Sequence, residues 1–325
     1  MLLHVTAVFL GVAALVWGAD RFVDGAAALA RRLGISPIII GLTVVSFGTS
    51  LPELLVSLTA TVMGHPDVAV GNAVGSNTTN IGLILGVASL FRPLMVHGSI
   101  VRREYPLLIG VSVIAWLMAR NGTFSRFEGF LLATGLVLFV TKMVLEAKQT
   151  APDVLLQEAA TSASTRQQVP PLGKSMFFLV VGLVALTVGS RLLVWGGVAL
   201  ARGFGVSELV IGLTLVALGT SLPELATSIV GAIKKQDDIA VGNVVGSNLF
   251  NTLAILGIPA MVRPLTVSAE AYHRDFPAML LATLVLWPVC RSWSGRQGRV
   301  NRLEGGALAL GYFLYVGFLL WSQGR

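Results

Sequence analysis

The sequence predicts an all-α polytopic membrane protein: ten transmembrane helices arranged as two inverted-topology five-helix repeats. Three observations carry that prediction. Of 325 residues, 54% are hydrophobic and only 12% charged, with a mean hydropathy of +0.80, whereas about a quarter of a soluble domain is charged. The apolar residues gather into ten runs on the scale that spans a hydrocarbon core, roughly 20 residues. Finally, the chain repeats itself, and each copy holds an odd number of runs.

The first five runs fall at 2–33, 36–63, 67–91, 104–119 and 126–147. A polar segment follows at 148–172, containing Ala-Pro-Asp, Glu158, Thr-Ser-Ala-Ser-Thr and Pro170-Pro171. Five more runs come at 173–203, 206–233, 237–262, 274–291 and 302–322. The expected organisation is therefore a first repeat over 1–147, a cytoplasmic linker over 148–172 and a second, inverted repeat over 173–325. The first run lacks a basic n-region and a small-residue cleavage site, so it reads as a retained helix and not as a signal peptide. Small residues are dense in the second, third, seventh and eighth runs, which suits close helix–helix packing. The single cysteine, Cys290, excludes an internal disulfide and a Cys-based metal site. It reads as a packing residue. His4, His65, His97 and His273 lie near run ends or in loops, without metal-ligand spacing.

A shift of 171 positions aligns residues 40–94 with 211–265 without a gap, and 29 of the 55 positions are identical. The matches include polar residues, which shared hydrophobicity alone does not produce: Thr43/Thr214, Glu53/Glu224, Ser57/Ser228, Asp67/Asp238, Asn72/Asn243, Ser76/Ser247, Asn77/Asn248, Asn80/Asn251 and Arg92/Arg263. Near the end of each copy, Arg126-Phe-Glu-Gly resembles Arg302-Leu-Glu-Gly. With five helices per copy, the second must enter the membrane from the opposite side. Such inverted repeats build secondary transporters, with the substrate near the midplane where the repeats meet.

The net charge of +7 would suggest nucleic acid in a soluble protein, but here the basic residues sit at run ends. They report orientation instead. If the loop after the first run is cytoplasmic, that side holds fifteen Lys and Arg against six on the other. Both termini are then expected outside the cytoplasm. Arg21 and Arg191 lie inside the first and sixth runs at equivalent positions, and read as snorkelling or helix-end charge. Asp67 and Asp238 open their runs, where they complement the helix dipole.

The chemistry concentrates in Gly48-Thr49-Ser50-Leu51-Pro52-Glu53 and its copy Gly219-Thr220-Ser221-Leu222-Pro223-Glu224. An ionisable residue at membrane depth marks function by default, and proline removes a helix hydrogen bond. Ser46, Thr49, Ser50, Glu53 and Ser57 share one helix face by their spacing of three and four. Ala217, Thr220, Ser221, Glu224 and Ser228 repeat it. Asn72, Ser76 and Asn80 share a face of the third run, and Asn243, Ser247 and Asn251 one of the eighth. This all-oxygen set suits hard cations such as Na+ and Ca2+, not zinc or copper. Pro52 and Pro223 lack the N–H that would bond the carbonyls of Gly48 and Gly219, and released carbonyls coordinate ions in transporters. The carbonyls of Ser46 and Ala217 are further candidates. Two ionised glutamates give −2, which one Ca2+ or two Na+ neutralise; a third Na+ makes a three-for-one exchange electrogenic. Without a cation, two like charges in low dielectric do not both stay ionised, so an empty site takes up a proton or resists crossing.

GTSLPE in both halves, followed by GNAVGSNTTNIG and GNVVGSNLFNTL, resembles the two α-repeats of the cation/Ca2+ exchanger superfamily (the sodium/calcium exchanger family), and most of all its bacterial inner-membrane calcium/sodium antiporters. The resemblance implies ten transmembrane helices, a midplane site on four core helices, and alternating access by movement of the first and sixth helices. It assigns ion ligands to Ser46 (carbonyl), Thr49, Ser50, Glu53, Ser76 and Asn80. In the second half it assigns Ala217 (carbonyl), Thr220, Ser221, Glu224, Ser247 and Asn251. The glutamates would hold Ca2+ and the hydroxyls and carbonyls the flanking Na+. Some members carry Asp at the position of Asn251; Asn at both 80 and 251 removes a possible charge and argues against K+ cotransport. The transported ions are thus Ca2+ and Na+, with no cofactor, no nucleic acid and a lipid bilayer as surroundings. A Ca2+/H+ antiporter is the alternative within the class. A passive cation channel is disfavoured by the inverted repeat and broken helices. An intramembrane hydrolase would need a nucleophile with a base or a catalytic metal, and neither His nor Cys shares the polar faces.

Overall fold

The chain leaves its first helix at a glycine. Helix α1, Leu2–Leu33, ends where Gly34 adopts φ 62°, a left-handed cap that costs glycine nothing. The computed structural model describes residues 1–98, 100–162, 170–205, 217–290 and 298–323. Helix α2 covers Pro37–Val62, α3 Asp67–Phe91, α4 Tyr105–Met118 and α5 Arg126–Ser162. The second half supplies α6 (Leu172–Gly203) and α7, whose described part comprises Ala217–Thr220 and Leu222–Ile233. It continues with α8 (Asp237–Val262), α9 (Phe276–Cys290) and α10 (Arg302–Gln323). Among the described residues, seven helices are long and apolar enough to cross a membrane: α1, α2, α3, α5, α6, α8 and α10. Helices α4 and α9 have 14 and 15 residues, each extended at its start by a π-helical turn, Ile100–Glu104 and Ala271–Asp275.

Burial ranks the helices. The most apolar stretch of α8 is completely buried, and that of α3 is 78% buried, against 22% in α5 and 11% in α10. Helices α5 and α10 therefore present apolar residues outward, as the bilayer requires, while α3 and α8 form the interior. Helices α1 and α6 lie antiparallel along one side. Added Cβ atoms at Gly11, Gly18 and Gly25 would fall within 3 Å of backbone atoms at Gly189, Gly182 and Ser175 respectively, so small residues bring the two backbones together. The glycine spacing also fixes how the halves correspond, because Gly11, Gly18 and Gly25 match Gly182, Gly189 and Gly196 at the same 171-residue shift. This corrects the pairing of the arginines: Asp20, not Arg21, is the counterpart of Arg191. Arg21 lies beside Asp20 at 3.8 Å with its guanidinium over the rings of Trp17 and Phe178.

Two features depart from the expected pattern. Helix α5 continues through the first part of the polar segment to Ser162, because Leu155, Leu156, Gln157, Glu158, Ala159 and Ala160 are strong helix formers. The described residues also include four short strands: β1 (Leu94–Val96), β2 (Thr123–Phe124), β3 (Leu265–Thr266) and β4 (Gly298–Val300). Strand β1 pairs with β4 and β2 with β3, both antiparallel, so each two-stranded patch joins one half to the other. The Arg-x-Glu-Gly similarity has a local cause. Ser125 and Glu128 form a capping box at the start of α5, with Ser125 N–H donating to Glu128 Oε2 (2.7 Å) and Glu128 N–H to Ser125 Oγ (3.2 Å). Asn301 and Glu304 repeat it at α10, at 2.8 and 3.0 Å.

Beyond dipole complementarity, Asp238 makes a 2.6 Å contact with His97 Nδ1, and its neighbour Asp237 accepts from Arg92 at 2.7 Å. Cys290 is buried, consistent with packing.

Candidate functional site

The two Gly-Thr-Ser-Leu-Pro-Glu stretches lie on α2 and α7, and they fold differently. Pro52 sits inside the continuous helix Ser46–Val62. In α7 the helix interrupts at Ser221, φ −91° and ψ 6°, and resumes at Leu222 with Pro223 in its first turn, where a missing N–H costs nothing. The broken helix expected from the prolines is thus present in α7, whereas α2 absorbs its proline without a break. Helices α3 and α8 each change to π-helical winding at the same repeat position, over Asn80–Leu85 and Asn251–Ile255. Such π segments recur at functional sites, and here each begins at an asparagine of the predicted set.

Glu53 and Glu224 are both 1% exposed. Each is approached by the serine of the opposite repeat: Ser50 Oγ donates to Glu224 Oε1 at 2.9 Å and Ser221 Oγ to Glu53 Oε1 at 3.3 Å. Behind each carboxylate stands an asparagine of the neighbouring helix. Asn72 Nδ2 donates to the Glu53 carbonyl (3.0 Å) and Ser57 Oγ (2.9 Å). Asn243 Nδ2 does the same to the Glu224 carbonyl (3.3 Å) and Ser228 Oγ (3.0 Å). Asn243 Oδ1 also accepts the Thr49 hydroxyl at 3.1 Å. The hydroxyl of Thr49 lies 3.3 Å from the Ser46 carbonyl, and that of Ser46 donates to Leu42 at 2.8 Å. Ser76 Oγ lies 3.5 Å from both Asn72 Oδ1 and Ser221 Oγ. Ala217 is the first described residue of α7, and Thr220 is half-buried.

Eight buried side-chain oxygens among the described residues lack a hydrogen-bond partner within the protein, and five belong to the predicted set: Glu53 Oε2, Glu224 Oε2, Asn80 Oδ1, Asn251 Oδ1 and Ser247 Oγ. A buried acceptor left without a donor costs roughly 1–3 kcal/mol, and a cation supplies what these oxygens lack. No group of three or more His, Cys, Asp or Glu side chains suited to a metal occurs among the described residues. Hydroxyl, amide and backbone carbonyl oxygens are the groups at hand to complete any coordination that the two carboxylates begin.

Sequence reasoning left Asn77 and Asn248 outside the site, although they match across the repeat. They bind each other's backbone, Asn77 Nδ2 to the Asn248 carbonyl at 3.3 Å and Asn248 Nδ2 to the Asn77 carbonyl at 3.4 Å. Asn80 Nδ2 adds a bond to Asn248 Oδ1 at 2.9 Å. Their identity in both halves was the available signal. A cavity of about 620 Å³ opens beside the site between α2 and α6, reaching Pro52, Gly219 and Thr220.

Residues 3–145 and 174–321 match the sequence profile of a family described as sodium/calcium exchanger protein. Over 324 residues the chain is 44% identical to CaxA of Alkalimonas amylolytica, named as a candidate antiporter, covering 99% of this chain and all of that protein. It is 41% identical to the inner membrane protein YrbG of Escherichia coli, covering 99% and 96% of the two chains. A solved structure of the sodium-calcium exchanger NCX_Mj, soaked with zero Na+ and Ca2+, superposes with a TM-score of 0.83 at 28% identity over 98% of this chain and 99% of that one.

Proposed function

Because the chain belongs to the sodium/calcium exchanger family, we propose that it is a secondary-active antiporter exchanging Ca2+ for Na+ by alternating access at a midplane site. It is an integral membrane protein, and on this reading its ten helical segments all cross the bilayer as two inverted five-helix repeats. The antiparallel glycine seam of α1 and α6 and the paired hydrogen bonds of the two glutamates support that arrangement. The distribution of basic residues supports both termini on the non-cytoplasmic side of a bacterial-type inner membrane, with 148–172 in the cytoplasm.

A single observation carries the functional reading: two fully buried carboxylates from opposite repeats, each with one oxygen held by the other repeat's serine and one oxygen unpartnered. In the proposed site Glu53 and Glu224 ligate Ca2+. Thr49, Ser50, Ser76, Asn80 and the Ser46 carbonyl, with Thr220, Ser221, Ser247, Asn251 and the Ala217 carbonyl, supply flanking oxygens. The serine–glutamate bonds make each half's charge depend on the other half's geometry, so a cation that draws both carboxylates inward also draws the repeats together.

The test is ⁴⁵Ca2+ uptake into proteoliposomes under separately imposed Na+, H+ and K+ gradients. The expected result is accumulation driven by an outward Na+ gradient and insensitive to K+. Accumulation driven by a pH gradient with Na+ absent would replace Na+ with H+ as counter-ion, and flux beyond carrier rates would make the protein a channel.

A further inference from the structure

We propose that Lys234, together with Asp20 and Asp24, is a latch that holds the cytoplasmic half of the ion pathway closed; this rests on the alternating-access reading above. Lys234 directly follows α7. Its Nζ lies 2.6 Å from Asp20 Oδ1, 2.7 Å from Asp24 Oδ1 and 3.0 Å from the Asp20 carbonyl, so three acceptors meet the three protons of the ammonium group. Asp20 and Asp24 are four apart and share one face of α1. The cluster therefore ties α1 to the end of α7, ten residues and about 15 Å along the helix from Glu224.

The opposite half shows what the same place looks like without these charges. At the 171-residue shift set by the glycines, the counterparts of Lys234, Asp20 and Asp24 are Met63, Arg191 and Trp195. No ion pair can form among them, and all three line the 620 Å³ cavity between α2 and α6. One fold thus carries an ionic staple at one end and a hollow at the symmetry-related position of the other. Because the two halves are repeats at the 171-residue shift, the side chains at these three positions distinguish one end from the other and, on this proposal, decide which end closes at rest. Moving α1 and α6 against the core to open the cytoplasmic end has to part Lys234 from both aspartates, whereas at the cavity end no ion pair joins the three counterparts Met63, Arg191 and Trp195 among the described residues.

The latch is testable without transport. Thr59→Cys lines the cavity, and Val230→Cys is its counterpart on the cytoplasmic half of α7, packed against the cluster around α1. On a Cys290→Ser background in detergent, labelling rates with a water-soluble maleimide are compared in the absence of ion gradients. Lys234→Met is expected to raise the Val230→Cys rate by about tenfold and to lower the Thr59→Cys rate, while Lys234→Arg leaves both unchanged. The double variant Asp20→Asn/Asp24→Asn should reproduce the Met result, and it stands in should Lys234→Met not fold. Rates that do not change, or that rise together at both positions as general loosening would cause, overturn the latch. Since labelling needs no exchange, failure of Ca2+/Na+ antiport in vesicles would leave these rates interpretable, and the reverse also holds.

Discussion

Replacing Asn243 by Ala tests whether the network behind Glu224 is structural support or part of the ion site. The amide is fully buried and reaches three groups: the Glu224 carbonyl, Ser228 Oγ and Thr49 Oγ1. They do not suffer equally. Thr49 keeps its contact with the Ser46 carbonyl. The Ser228 hydroxyl can rotate back to its own helix at i−4, as Thr61 does at 2.8 Å, and the carbonyl it meets there is that of Glu224. The Glu224 carbonyl thus exchanges an amide donor on the neighbouring helix for a weaker hydroxyl on its own, and the deleted amide leaves a small void. Two lost bonds at about 1 kcal/mol each and one weakened acceptor give a destabilisation of about 2–3 kcal/mol. The functional effect should exceed the stability effect, because the backbone bearing Glu224 loses the group that orients it. In purified protein the expected outcome is a lowered melting temperature with a more than tenfold loss of Ca2+ uptake. Asn72→Ala should behave alike for Glu53, but with the contact between the halves less affected, since it is Asn243 that accepts the Thr49 hydroxyl of the other repeat. A melting temperature within a degree of the parent together with unchanged uptake would refute the reasoning.

Three other outcomes follow from the geometry. Glu53→Gln or Glu224→Gln keeps the shape and the serine hydrogen bond but halves the formal charge of the site, so each should nearly abolish ⁴⁵Ca2+ uptake in a protein that still elutes as a folded species; near-normal exchange in both would remove the site assignment. Gly182→Val should cost at least about 1–3 kcal/mol, because even a Cβ there meets Phe22 N at 2.6 Å and the Gly18 carbonyl at 2.8 Å, whereas Gly173→Ala, with nothing within 4 Å, should be neutral in the same melting experiment. Glu128→Ala and Glu304→Ala each remove one side of a capping box and should lower stability by about 1 kcal/mol while leaving the counter-ion preference in proteoliposomes unchanged.

Periodicity alone placed Thr49, Ser50 and Glu53 on one face, and Asn72, Ser76 and Asn80 on another, because residues three and four apart on a helix are neighbours whatever surrounds them. The 171-residue repeat then required a second set in the other half. The family resemblance, carried by local motifs, was equally legible. What meets those faces was not. That Ser50 serves Glu224 and Ser221 serves Glu53 depends on how two helices more than 160 residues apart cross, which no local spacing encodes. The break at Ser221 and the continuity through Pro52 arise from one shared motif in two surroundings. The correspondence of Asp20 with Arg191 follows from carrying the 171-residue shift back to α1 and α6, and the glycine contacts between those helices obey the same two-fold relation. From that register came the contrast between an ionic staple at Lys234 and a cavity at Met63. The helical continuation to Ser162 shows the reverse weighting: strong helix formers set the local conformation of a segment whose polar composition suggests a linker. Sequence therefore determined which side chains each helix offers, since that is fixed by bonds along one chain. Tertiary structure decided which of them face one another, since that is fixed by packing between chain segments far apart.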